Sequence, residues 1–219
     1  DKMQEGLVNA YLESGFLPEW ASPGHRGRMV GNNSASIVVD AIMTGRKGYD
    51  KDKLWEAVLH GANSVHPQVK STGRDGFELY NKLGYVPCDK LNQSVARTLE
   101  YAYNDWCIYT MGKALGRPEK EIKIYAKRAM NYRNVFDPSL NLMRGKDSNG
   151  KFETPFNPTD WGRSFTEGDT WHWTWCVFHD PQGLVDLMGG RDNFIHMMDS
   201  TFIVPPVAKE RMIHEEREM

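Results

Sequence analysis

The sequence predicts an all-α fold in which helical hairpins form roughly half of an (α/α)6 barrel, an inner ring of apolar helices sheathed by an outer ring of more polar ones. Three observations predict it. Segments with helical spacing of apolar residues clearly outnumber segments that alternate like strands. Helices apolar nearly all round, such as 37–42 and 101–111, are followed by helices with one polar face, and this pairing recurs three times. A long irregular stretch feeds each apolar helix at its N-terminus, and unstructured connections beyond about 12–15 residues tend to carry function in compact domains. Helix N-termini are the positive ends of the helix dipoles, so the loop-fed end is where a site is expected.

The elements follow in order. Met3, Leu7, Val8, Ala10 and Tyr11 have helical spacing, and Gly15 ends that helix. A Gly- and Pro-rich loop, "FLPEWASPGHRGRMVG", leads to "NNSASIVVDAIMTG", a helix opened by cap residues and closed by Gly45. "DKLWEAVLHGANSVH" follows with Asp52 as its cap. Residues 67–92 read as a second long irregular stretch. "NQSVARTLEYAYNDWCIYTMGKALG" is the longest helical pattern and ends at Gly116. Pro118 opens the next helix at a first-turn position where proline is tolerated, and that helix runs to about residue 136. A third long loop reaches Ser164. An inner helix beginning near Thr170 and running past Trp173 comes next, then two short helices, "PQGLVDLMGG" and "RDNFIHMMDSTF". The terminal "AKERMIHEEREM" reads as a solvated helix face. Both ends resemble mid-helix, so residues 1–219 are expected to be one partial domain, cut at both ends.

Composition excludes several classes. The 219 residues carry a formal net charge of −2 with both signs interspersed, so no basic field for nucleic acid exists. Three distant cysteines do not build a disulfide framework. No run approaches the ~18 apolar residues of a membrane span. Phosphate-loop, dinucleotide and nucleophile-elbow motifs are absent.

The loops carry Trp20, His25, Arg26, Arg74, Asp75, Trp161 and Glu167. Flat aromatics mixed with forked donors and carboxylates suit a sugar. Glu167 sits just before a helix start, among aromatics that could desolvate its carboxyl group and raise its pKa, as a general acid requires. The helix dipole acts the other way, and a loop glutamate that merely helps cap the helix is the competing account. His172, Cys176 and His179 at i, i+4 and i+7 would share a helix face, but bulky apolar surroundings and no fourth ligand favour core packing over zinc. Sequons at Asn32 and Asn92 fall at expected helix starts, where capping accounts for them better than glycosylation.

Taken together, "FLPEWASPGHRGRMVGNNSASIVVDAIMTG", "LGYVP", "SVARTLEYAYNDWCI", "RAMNYRNVFDP", "MRGKDSNGKFETPFNP" and "WGRSFTEGDTWHWTWCVFHDPQGLVDLMGG" resemble glycoside hydrolase family 92 along essentially the whole chain. The resemblance implies an exo-acting, calcium-dependent, inverting α-mannosidase, an α-1,2-mannosidase above all, acting on terminal α-mannosides of glycans. It implies a β-sandwich and further barrel helices outside this piece, and a periplasmic, extracellular or outer-membrane-associated bacterial home. It maps the general acid of the family's "TEG" motif onto Glu167. The family's base aspartates and calcium ligands belong to downstream motifs not present here, so no metal site is expected within these residues and the isolated piece is expected to be inactive. Trp161 and Trp171 are candidate walls of the sugar site, and His172 a candidate partner of a hydroxyl or of Glu167. Arg26, Asn32 and Arg97 lie near the expected site end, with packing or capping weighed at least equally. Uncovered apolar faces would favour self-association. The rival readings are another α/α-barrel glycosidase or sugar phosphorylase, and a non-catalytic carbohydrate-binding helical module.

Overall fold

The computed structural model describes residues 2–20, 22–27 and 29–204; the charged terminal stretch from Ala208 lies outside them. The chain is mostly helical. The helices are α1 (Lys2–Ser14), α2 (Ser34–Met43), α3 (Lys51–Ala62), α4 (Phe77–Leu83), α5 (Ser94–Ala114), α6 (Glu119–Arg128), α7 (Thr170–Trp173), α8 (Pro181–Leu187) and α9 (Arg191–Thr201). A 3₁₀ segment, Ala129–Val135, continues α6, and one short antiparallel hairpin pairs β1 (Phe136–Asp137) with β2 (Leu142–Met143).

α5 is the spine. Its 21 residues span about 32 Å at 1.5 Å per residue. It packs against α2, α3, α6 and the 3₁₀ segment, and so joins two apolar clusters. Cys107, Ile108 and Met111 of its second half pack with Val38, Ile42, Leu54, Val58 and Ile122. Val95, Leu99 and Ala102 of its first half pack with Tyr132, Val135, Phe165, Val177 and Leu184. Gly112 permits the close approach of α6: a Cβ there would stand 2.4 Å from the Ile122 Cγ2 methyl. The inner–outer alternation is therefore real for α2/α3 and α5/α6, with α3 resting between α1, α2 and α5. Ile37 of α2 is 56% exposed and Phe178 68%, so the inner side is open where burial on most faces was expected.

Four expectations need correction. The segment 67–92 is not wholly irregular, because α4 forms within it between two left-handed glycines, Gly76 and Gly84. The cap of α3 is Asp50, whose carboxylate accepts from the Lys53 N–H at 2.8 Å, rather than Asp52. The helix after Pro118 becomes 3₁₀ at Ala129. The third inner helix is a single turn. After Trp173 the chain closes in tight turns, Cys176 N–H to the Trp173 carbonyl and Val177 N–H to the Trp175 carbonyl. The Thr174 hydroxyl, which accepts from the Met143 N–H, ties the chain to β2 where a longer helix would leave it.

Candidate active site

The inner helix N-termini are capped from a distance. Asn33 precedes α2, but its side chain makes no cap hydrogen bond. Glu19 supplies the cap: Ser34 donates to it through its N–H (3.0 Å) and its hydroxyl (2.9 Å). Burial pushes the Glu19 carboxyl up to about 7, against the opposing pull of the Ser34 donors and the Arg74 guanidinium. At α5, Gln93 takes a left-handed conformation and donates to the Arg163 carbonyl (2.6 Å), and Val95 N–H donates to the Ser164 carbonyl (2.9 Å). The loop that precedes α7 is thus fastened across the start of α5.

That loop carries Glu167. The Gly162 N–H donates to the Gly168 carbonyl (2.9 Å), closing the turn, and the Trp173 indole N–H donates to the Thr166 carbonyl (2.7 Å). Phe165 is buried beneath it, and the Ser164 hydroxyl reaches Glu153 Oε2 at 3.0 Å. Within this frame Glu167 has φ +47°, a region that non-glycine residues rarely enter and that clusters at functional sites. Its side chain is exposed, and its carboxylate has no hydrogen-bond or ion-pair partner among the described residues. The enclosing aromatic pocket expected around it is not formed by these residues.

Two residues on, Asp169 caps α7, accepting from the Trp171 N–H (2.9 Å) and the His172 N–H (3.3 Å). His172 Nδ1 lies 2.7 Å from Asp169 Oδ1 and 3.3 Å from the Asp169 amide; the shorter contact requires a proton on Nδ1. Capping of α7 therefore falls to Asp169, which leaves Glu167 with no structural task. Two buried threonines lock α7 to β2. Thr170 Oγ1 donates to the Met143 carbonyl (2.5 Å), and Thr174 Oγ1 accepts from the Met143 N–H (3.0 Å) while donating to the Thr170 carbonyl (2.7 Å).

The sequence-derived candidates divide. Trp161, Glu167, Trp171 and His172 come together: the Trp161 and His172 rings meet edge to face at 5.7 Å. Trp171 is half-buried, and its indole N–H has no partner among the described residues. Arg97 sits in the first turn of α5, beside the fastened loop, donating to the Asn92 carbonyl (3.2 Å) and Gln93 Oε1 (3.4 Å). Arg26 is exposed on the first loop, where its carbonyl accepts from the Ser71 hydroxyl (3.2 Å). Asn32 is buried, its carboxamide oxygen taken by Arg74 Nε at 2.8 Å. Arg74 itself is no sugar contact. It is fully buried, paired with Asp105 at 2.6 Å, and Tyr80 donates to the other Asp105 oxygen at 3.1 Å. Burial pushes the Asp105 carboxyl up, and Arg74 opposes that push. The proposed His–Cys–His face does not exist, since α7 ends at Trp173; His179 Nε2 bonds the Ala129 carbonyl at 2.7 Å among Tyr103, Trp106 and Tyr132. Sequence reasoning passed over Glu19, Glu100 and the Thr170–Thr174 lock; the spacing of the two threonines at i, i+4 before a tryptophan was the available signal for the last.

Paired inner and outer helices, with long loops that present a clamped glutamate at the helix starts, are the architecture of a segment of a helical barrel. Comparison makes this specific. The family model of the glycosyl hydrolase family 92 catalytic domain matches residues 1–219, and the chain belongs to that family. A family GH92 inverting mannosidase of Bacteroides thetaiotaomicron is 50% identical, with TM-score 0.87 over 90% of this chain and 27% of its own. A GH92 α-mannosidase of the same organism is 35% identical, with TM-score 0.83 over 92% of this chain and 26% of its own. That second enzyme has also been solved in complex with mannoimidazole. An uncharacterized secreted glycosidase of Arthroderma benhamiae is 27% identical over 88% of this chain and 29% of its own length. The chain thus spans under a third of each of these relatives.

Proposed function

We propose that this chain is the central part of the catalytic barrel of an exo-acting, inverting α-mannosidase that removes terminal α-mannose from glycans, with α-1,2 linkages as its preferred substrate. The observation that carries the reading is Glu167: a carboxylate without a structural partner among the described residues, held in a left-handed turn by contacts to the loop backbone, at the start of a capped helix. In this role Glu167 protonates the departing glycosidic oxygen. Inversion requires a second carboxylate about 6.5–9.5 Å away, with a water between them, and we assign that base to the part of the enzyme outside this chain. The mannosidase names of the two bacterial relatives support the substrate class.

Calcium belongs to the same proposal as the cofactor of the whole enzyme. The described residues do not fit a calcium site, because no three His, Cys, Asp or Glu side chains converge among them, whereas calcium takes six to eight oxygens. No step is therefore derived through it, and its ligands are assigned outside this chain. A periplasmic or extracellular bacterial location is also part of the proposal, supported by the secreted fungal relative; among the described residues no helix is long and apolar enough to cross a membrane.

The test is Glu167→Gln in the full-length parent. Turnover of α-1,2-mannobiose is expected to fall about 10²–10⁴-fold, the usual worth of general acid catalysis, while an aryl mannoside with a good leaving group loses much less. Near-normal turnover of the disaccharide would remove Glu167 from the acid role, and retention of configuration in the product, read by NMR, would remove inversion.

A further inference from the structure

We propose that Glu100 is a substrate-contacting carboxylate, accepting hydrogen bonds from ring hydroxyls of the sugar at the mouth of the barrel. This rests on the mannosidase reading and extends it to a residue with no assigned role. The first support is position. Asn32 N–H donates to Asn104 Oδ1 at 2.9 Å, and Asn104 Nδ2 donates to Asn33 Oδ1 at 3.0 Å. The start of α2 therefore lies beside the third turn of α5, and α5 projects beyond it toward the loops by about 15 Å. Arg97 and Glu100, three residues apart and so on one face of α5, occupy that projecting part. Opposite them runs the chain just after α7, whose Cys176 feels the Glu100 charge. Glu100 thus stands between the start of α2 and the segment that follows Glu167.

The second support is electrostatic. The only hydrogen bond to Glu100 among the described residues comes from the Asn33 carboxamide, and no Lys, Arg or His among them pairs with it. Its titratable neighbours are Tyr103, Cys107 and Cys176, all pushed up chiefly by burial and neutral at ordinary pH. Burial likewise pushes the Glu100 carboxyl up. A largely buried carboxylate with one donor and no cation is costly. Asp105, fully buried about one and a half turns on, has Arg74 and Tyr80 as partners, so this fold does supply partners where a carboxylate is structural. The third support is the space kept for it. A Cβ on Gly31 would stand 2.8 Å from Glu100 Oε2 and 2.9 Å from Asn33 Oδ1, so a side chain at residue 31 would displace the carboxylate. Open lone pairs above a bare glycine suit the closely spaced hydroxyl donors of a pyranose, and hydroxyl–carboxylate hydrogen bonds are short and strong.

Full-length parent, Glu100→Gln and Glu100→Asp are compared by kcat/KM on α-1,2-mannobiose, by calorimetric titration with mannoimidazole, and by thermal unfolding. Glu100→Gln is expected to lower kcat/KM and weaken mannoimidazole by about 10- to 150-fold each, the worth of a hydrogen bond to a charged group. Its unfolding temperature is expected to hold or rise, because an uncompensated buried charge is removed. Glu100→Asp should recover part of both losses. Wild-type-like turnover and inhibitor affinity in Glu100→Gln would overturn the assignment. So would a lowered unfolding temperature with full inhibitor affinity per folded molecule, the signature of a structural carboxylate bonded within the protein. A wild-type parent that neither hydrolyses the disaccharide nor binds the inhibitor would sink the mannosidase reading, and Glu100 with it.

Discussion

Thr174→Val tests whether α7 is held by its threonine lock. Valine keeps the shape and removes one hydroxyl. That hydroxyl accepts from the Met143 N–H at 3.0 Å, and both residues are buried, with Met143 and Thr174 at 0% exposure. The Thr170 carbonyl keeps its bond from the Thr174 N–H at 2.9 Å, so only one group is orphaned: a buried backbone donor. Such a group costs about 1–3 kcal/mol. At 1.4 kcal/mol per tenfold, local opening at β2 should become about 5- to 150-fold more frequent. The assay is hydrogen exchange by mass spectrometry on peptides spanning Met143 in the full-length parent. The Met143 amide should exchange faster by that factor, with Thr174→Ser close to wild type because it keeps the hydroxyl. Since Glu167 lies three residues before Thr170, kcat should fall more than KM changes in Thr174→Val. Unaltered exchange at Met143, or equal effects of serine and valine, would refute the lock.

Two further outcomes follow from buried charges. The folded-state pKa of Glu19, about 7, is above its ordinary 4.5, so between those values the folded state binds the extra proton and stability falls as pH rises, by on the order of 3 kcal/mol. Urea midpoints of the parent from pH 4 to 8 should show this decline relative to Glu19→Gln; parallel profiles for the two proteins would refute it. Arg74→Met leaves Asp105 buried without its cation and should destabilise the barrel by about 3–5 kcal/mol in the same denaturation assay, with activity per folded molecule largely kept; a loss under about 1 kcal/mol would show the pair to be dispensable.

What the sequence made legible was local. The helical spacing of α1, α2, α5 and α6, the stops at Gly15 and Gly45, and the proline start of α6 all depend on residues within a turn or two of one another. Failures came where a partner far along the chain decides the outcome. "NNS" looked self-sufficient as a cap, yet Glu19 provides it from fifteen residues away. "WHWTW" had the apolar content of a long inner helix, but the Thr174 hydroxyl is engaged by Met143, thirty-one residues upstream. Arg74, read as a loop arginine free for sugar, is withdrawn by Asp105 on a helix that periodicity alone could not orient toward it. Glu167 was legible as a candidate through its motif. Its exposure and left-handed backbone were not, because both follow from how the loop is fastened to α5.

The fastening also bears on the class of ligand. A bare helix N-terminus is a ready site for phosphate, because its free N–H groups and dipole favour negative charge. Here the starts of the three inner helices already have acceptors. The Glu19 carboxylate takes the Ser34 N–H, the Arg163 and Ser164 carbonyls take the Gln93 and Val95 N–H groups, and Asp169 takes the first N–H groups of α7. Each dipole is spent on holding a loop, and two of the four acceptors are carboxylates that would repel an incoming phosphate. A phosphorylase must seat phosphate beside its sugar, and these three helix starts do not offer the place. Neutral hydroxyls meet no such penalty, and the carboxylates left with open lone pairs, Glu100 and Glu167, are acceptors for which a sugar is a natural donor. Added phosphate should therefore leave turnover of α-mannosides by the parent unchanged, where a phosphorylase built on the same barrel would be stimulated.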